Sequence, residues 1–132
     1  MAWVVDTSIL VAVLANEPVK PAIIRLTRGV ELIAPASVHW EIGNAFSAGM
    51  KRGRFSFAEV QAALSSYRTI AIRFVDVDLV RALGIADRLR IYAYDAYVLA
   101  CAQAQSCPIL SLDRGLVSAA DRLGLSCIEV PV

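Results

Sequence analysis

At 132 residues, with 58% hydrophobic side chains and a mean hydropathy of +0.59, the chain is expected to be a single domain, 1–132, with apolar surface to spare. No uncharged apolar run reaches the ~18 residues of a membrane span, and no basic stretch followed by an apolar one marks a secretory leader. Thirteen basic against 12 acidic residues, a net charge of +1, is not the strongly basic balance of a high-affinity nucleic-acid binder. In chain order, AWVVD (2–6) reads as a short buried strand, followed by an apolar helix from 7 to about 15. Pro18 and Pro21 stand where a second helix begins, running to about 28. ELIA (31–34) is a second strand, and Pro35 opens a long helix over about 35–52, closed near Gly53. Ser56 and Glu59 form a capping-box pattern for a fourth helix. AIRFVDV (71–77) is a third strand, and helices follow over 78–90 and 93–105. PILSLD (108–113), RGLVSAADRLG (114–124) and SCIEV (126–130) close the chain as strand, helix and strand.

Short, continuously apolar strands alternating with helices are the pattern of a parallel sheet covered on both faces. The fold class expected is a three-layer α/β domain. The three cysteines, an odd number without a CxxC pair, argue against a disulfide framework and a zinc site. They read as small buried hydrophobes in a reducing cytoplasm. The surplus of apolar side chains points to a homodimer or another bound partner.

Two acids end strands: Asp6 after WVV and Asp113 after PILSL. Ligands of open parallel sheets bind outside the carboxyl ends of the strands, where strand order reverses. Each acid has a hydroxyl two residues away, Ser8 and Ser111. Both acids also suit helix N-caps, and either reading serves for each alone. Glu41 lies on the edge of the apolar stripe Val38, Ile42, Ala45, Phe46, Gly49. Asp95 has Val98, Leu99 and Ala102 as its helical neighbours. A carboxylate leaning on a core needs a counter-charge, hydrogen bonds, a metal or a proton, and no lysine or arginine sits at helical spacing on the face of Glu41. Four carboxylates without matching bases make an oxygen-only site suited to Mg²⁺ or Mn²⁺. The single histidine, His39, is two residues before Glu41 and points elsewhere on its helix. Such ions hold phosphate oxygens and activate water, so phosphoryl chemistry is the natural reaction class.

The segments VVDTSILV, PASVHWEIGNAF, YDAYVLACA and LSLDRGL, in this order and spacing, resemble the PIN-domain ribonucleases, and within them the VapC-type toxins of toxin–antitoxin pairs. The resemblance covers essentially the whole chain. It implies a central parallel sheet of about five strands in the order 3-2-1-4-5 and metal-dependent cleavage of RNA. It also implies a small antitoxin partner. Asp6, Glu41, Asp95 and Asp113 match the family's acidic quartet. Ser8 and Ser111 match its hydroxyl positions, and Asn44 a frequent polar position one turn after the glutamate. The further acid that many relatives carry is absent, since Arg114, Gly115 and Leu116 follow Asp113.

Candidates for holding the RNA backbone are Arg114, Lys51, Arg52 and Arg54. The last three also suit the negative end of their helix. Tyr92, Tyr94 and Tyr97 suit base stacking or packing. Three other readings are weaker. A phosphoacceptor receiver domain wants an acidic pair after the first strand and a lysine near the last strand, whereas the only lysines are Lys20 and Lys51. A haloacid-dehalogenase-type phosphatase wants an acid where Ser8 stands. A catalytically silent PIN-fold module that binds RNA or protein has no need of the quartet.

Overall fold

The computed structural model describes residues 1–131. Five strands, β1 (Ala2–Val5), β2 (Glu31–Pro35), β3 (Ile72–Val75), β4 (Ile109–Leu110) and β5 (Cys127–Ile128), form one sheet in the order β3-β2-β1-β4-β5. Every pairing is parallel, with Val4 opposite Ile33 and Ile109, and Leu32 opposite Ile72. The helices are α1 (Thr7–Leu14), α2 (Lys20–Thr27), α3 (Val38–Lys51), α4 (Phe57–Tyr67), α5 (Leu79–Leu89), α6 (Ala93–Gln105) and α7 (Arg114–Arg122).

Side chains of a strand alternate between the two faces of a sheet, and here each face meets its own helical layer. Trp3, Val5, Ala34 and Leu110 pack with Ile9, Leu10, Ile42, Phe46 and Val60 of α1, α3 and α4. Val4, Ile33 and Ile109 pack with Ile85, Leu89, Val98, Leu99 and Leu116 of α5, α6 and α7. The result is a three-layer α/β/α domain with the carboxyl ends of β1 and β4 side by side at the centre.

Several boundaries differ from expectation. Pro35 does not open α3. It stays in β2 opposite Val75, and the Ala36 N–H continues the ladder to the Val75 carbonyl at 3.2 Å. The fourth strand is two residues long rather than six, because Ser111, Leu112 and Asp113 leave the ladder for side-chain hydrogen bonds. Of the cysteines only Cys101 is buried; Cys107, just before β4, and Cys127, in β5, are only partly buried.

Candidate active site

Asp6 follows the last residue of β1 and caps α1. It is 6% exposed, and both of its oxygens are engaged. Its Oδ1 accepts from Ser8 Oγ at 2.6 Å and from the Ile9 N–H at 3.4 Å, while Oδ2 accepts from Ser111 Oγ at 2.7 Å. A serine hydroxyl has one hydrogen to give, and both serines give it to Asp6. Their oxygens in turn accept backbone N–H groups of the turn after β4: Leu112 to Ser8 and Asp113 to Ser111, each at 2.9 Å. The two hydroxyls therefore lock the end of β1 to the start of α7. Asp113 caps α7, its Oδ1 accepting from Gly115 at 2.8 Å and Leu116 at 3.2 Å.

Glu41 lies in the first turn of α3 and is half-buried. Its Oε2 accepts from Thr7 Oγ1 at 2.8 Å, a contact across 34 residues. Asp95, in the first turn of α6, is half-buried and has no hydrogen-bonded side-chain tether among the described residues. Burial pushes the carboxyl pKa of Asp6, Glu41 and Asp95 above the ordinary range. For Asp6 the bonds from Ser111, Ser8 and Ile9 oppose the shift, and for Glu41 the bond from Thr7 does. The charge of Asp113 raises all three, and those of Asp6 and Asp95 raise Glu41 further. Among the described residues no basic side chain lowers any of the three.

The fold thus brings together Asp6, Glu41, Asp95 and Asp113, from four different helices or their caps, with Glu41 feeling the other three charges and Asp113 acting on Asp6 and Asp95. The donor set is oxygen only and its charge is uncompensated, which fits a hard divalent cation. The fit is one of chemistry and charge. Among the described residues no three acidic, histidine or cysteine groups form a ready-made ion cage.

The remaining candidates are scattered. Arg114, the first residue of α7, is exposed beside Asp113. Asn44 is exposed one turn beyond Glu41. Lys51, Arg52 and Arg54 are exposed, but Lys51 lies at the far end of α3, ten residues or about 15 Å along the axis from Glu41. Arg54 lies over the Phe55 ring at 5.5 Å. His39 turns away from the acids, pairing through Nδ1 with the Tyr67 hydroxyl at 2.8 Å and facing Phe74. Tyr94 and Tyr97 pack edge to face, whereas Tyr92 is 87% exposed.

Two neighbours of the acids went unmarked in the sequence. Thr7 reads there as the start of a helix, and its bond to Glu41 has no local signal. Trp40 lies off the apolar stripe of its helix and is 72% exposed. A cavity of about 420 Å³ between α1, α3 and α4 is lined by Leu14, Phe46, Phe55 and Ala63, and holds none of the four acids.

The model of the PIN domain family matches residues 3–122. Among solved structures, the chain is similar to PAE2754 of Pyrobaculum aerophilum, with a TM-score of 0.70 and 22% identity, covering 90% of this chain and 87% of that one. It is also similar to VapC20 of Mycobacterium tuberculosis, a sarcin-ricin loop cleaving toxin, with a TM-score of 0.68 and 15% identity over 98% and 99% of the two chains. A third likeness is to VapBC2 of Rickettsia felis, solved bound to a DNA fragment of its promoter, with a TM-score of 0.66 and 14% identity over 98% of each chain. At these identities the likenesses show a shared fold. Among curated proteins none matches the chain.

Proposed function

This chain belongs to the PIN domain family, and on that premise we propose that it is a metal-dependent endoribonuclease and the toxin of a toxin–antitoxin pair. The observation that carries the chemistry is the gathering of Asp6, Glu41, Asp95 and Asp113, the first three held above the ordinary carboxyl range by burial and by neighbouring acids. Oxygen-only donors of this kind suit Mg²⁺ or Mn²⁺, held by Asp6, Asp95 and Asp113 with Glu41 beside them. When bound, such an ion supplies Lewis-acid charge for the scissile phosphate and for activating water.

The chain's own residues do the positioning. Ser8 and Ser111 fix both oxygens of Asp6 and, through the turn after β4, fix Asp113 relative to it. Thr7 occupies Glu41 Oε2, leaving Oε1 to hold the ion or take a proton from the attacking water. Asn44 supports the face beside Glu41. Arg114 faces the substrate phosphate, with Lys51, Arg52 and Arg54 as more distant contacts to the RNA backbone.

The partner reading is supported by neighbours that are toxin–antitoxin complexes, from Rickettsia felis and Klebsiella pneumoniae among others. A cognate antitoxin segment would cover the acidic crevice, and an arginine in it would replace the charge of the ion. The protein works as a homodimer in the cytoplasm. Among the described residues no helix is long and apolar enough to cross a membrane.

The test is cleavage of RNA by the purified protein. Cutting is expected with Mg²⁺ or Mn²⁺ and stops with a chelator. Asp95→Asn lowers the rate by about two orders of magnitude or more, since residues acting as a unit fail together. A folded Asp95→Asn protein with full activity would overturn the assignment.

A further inference from the structure

Trp40 stands one residue before Glu41 in the first turn of α3 and is 72% exposed. Tyr92 caps α6 three residues before Asp95 and is 87% exposed. Ala36 and Ser37, which lead into α3, and Tyr97 in the second turn of α6 line one cavity of about 190 Å³, so the two helix starts lie beside each other. Each helix therefore presents one large exposed ring beside the acid it contributes.

Leaving an indole largely in water forfeits the burial that usually governs where tryptophan goes, so the question is what covers it. The exposed face of α3 runs through Trp40, Gly43, Asn44, Ser47 and Lys51. Apart from Trp40 it is small and polar, unlike the apolar centre of a protein–protein interface. One flat ring among small polar groups suits a flat, polar-edged partner. Unpaired bases have that shape and stack on aromatic side chains without needing a particular sequence. Asn44, one turn beyond Trp40 on the same exposed face, offers both a donor and an acceptor to a base edge.

We propose that Trp40, with Tyr92, forms the base-stacking site that holds unpaired RNA on the two sides of the carboxylate crevice. This rests on the ribonuclease reading and adds to it the side chains that grip the bases next to the cut. The acids then act on the phosphate while the rings hold the neighbouring bases.

Steady-state cleavage of a single-stranded RNA oligonucleotide tests this with Mn²⁺, for wild type, Trp40→Ala, Trp40→Phe and Tyr92→Ala. A second oligonucleotide carries abasic residues on both sides of the cut. Trp40→Ala should raise KM about tenfold or more, Tyr92→Ala should raise it less, and Trp40→Phe should keep most of the wild-type KM. On the abasic oligonucleotide, wild type and Trp40→Ala should become alike. An independent readout uses the two tryptophans, since Trp3 is only 7% exposed. In Asp95→Asn protein, RNA should shield the emission of Trp40 from acrylamide, and the abasic oligonucleotide should not. Wild type that cuts RNA with Trp40→Ala at an unchanged KM overturns the stacking site and leaves the nuclease standing. So does a KM loss that persists on the abasic oligonucleotide, or a Trp40→Ala protein whose light scattering shows an altered oligomer. Wild type that does not cut RNA with metal overturns the nuclease reading, and the stacking site with it.

Discussion

Asp6 keeps its place through hydrogen bonds from Ser8, Ser111 and the Ile9 N–H, yet burial outweighs them and its pKa stands above the ordinary 3.8. The folded protein therefore takes this proton at a higher pH than the unfolded chain does. The stability that Asp6 contributes is complete below about 3.8 and is lost as pH rises through the raised folded value. Asp6→Asn, which removes the charge, should then be at least as stable as wild type near neutral pH in chelator. Its advantage should shrink as pH falls towards 3.8. Asn can take over the cap with its Oδ1 still accepting from Ser8 and the Ile9 N–H, while the Ser111 hydroxyl turns to accept from its Nδ2 amide. Urea unfolding of both proteins across this pH range checks the sign, and a variant clearly less stable at neutral pH would refute it. Thr7 gives a second prediction. Thr7→Val removes the bond to Glu41 at nearly constant volume and should lower kcat about tenfold, as loss of a ligand-orienting partner does. Thr7→Ser should restore most of it, and equal kcat for Val and wild type would show that Glu41 needs no such tether. The coming together of Asp6, Glu41, Asp95 and Asp113 was legible because each carboxylate interrupts or edges an apolar pattern. Thr7 and Trp40 were not. A hydroxyl bonded 34 residues away and a tryptophan pointing outward leave no local trace.

At the scale of elements, α3 is set against the loop that follows it by a contact that uses the absence of a side chain. A β-carbon on Gly49 would run into the ring of Phe55, which itself meets Phe46 edge to face at 5.4 Å. In an open helix, alanine would exceed glycine by roughly 1 kcal/mol. Here Gly49→Ala must displace Phe55 from Phe46, and the protein should lose about 1–3 kcal/mol, the usual cost of overpacking. Chemical denaturation reads this directly, and a stabilised variant would show that the Phe55 loop yields freely. The capping box of α4, with Ser56 and Glu59 each bonded to the other's backbone N–H, was legible as a pattern. Ser56→Ala should cost about 1 kcal/mol. The ends of β4 and the start of α3 were misread for a physical reason. PILSLD is apolar enough to extend as a strand, but its serine and aspartate find better partners in Asp6 and the α7 N–H groups. Pro35 suits a first helical turn but equally ends β2, beyond the last residue paired with β1, where no N–H is needed from it.

For the whole molecule, alternation of helices and apolar strands is enough to give the three-layer class. It leaves many strand orders open. The order 3-2-1-4-5 followed from the family resemblance, and it is the order of this sheet. Its consequence is that β1 and β4 end together, which puts Asp6 and Asp113 in one crevice. Exposed Leu79, Val80 and Leu83 on α5 are part of the apolar surplus seen in the composition. Light scattering at micromolar concentration should show a dimer, and a monomer throughout that range would contradict the homodimer. The central claim is that the uncompensated carboxylates are there to hold a divalent cation, and thermal unfolding tests it most directly. Wild type and Asp6→Asn are compared in chelator and across a Mg²⁺ series. Wild type should gain roughly 2.7 kcal/mol at about 100 times its dissociation constant, if the unfolded chain does not bind, and Asp6→Asn much less. Equal shifts in the two proteins, or none in either, would mean that Asp6 serves only as a cap of α1 and that the proposed metal chemistry is wrong.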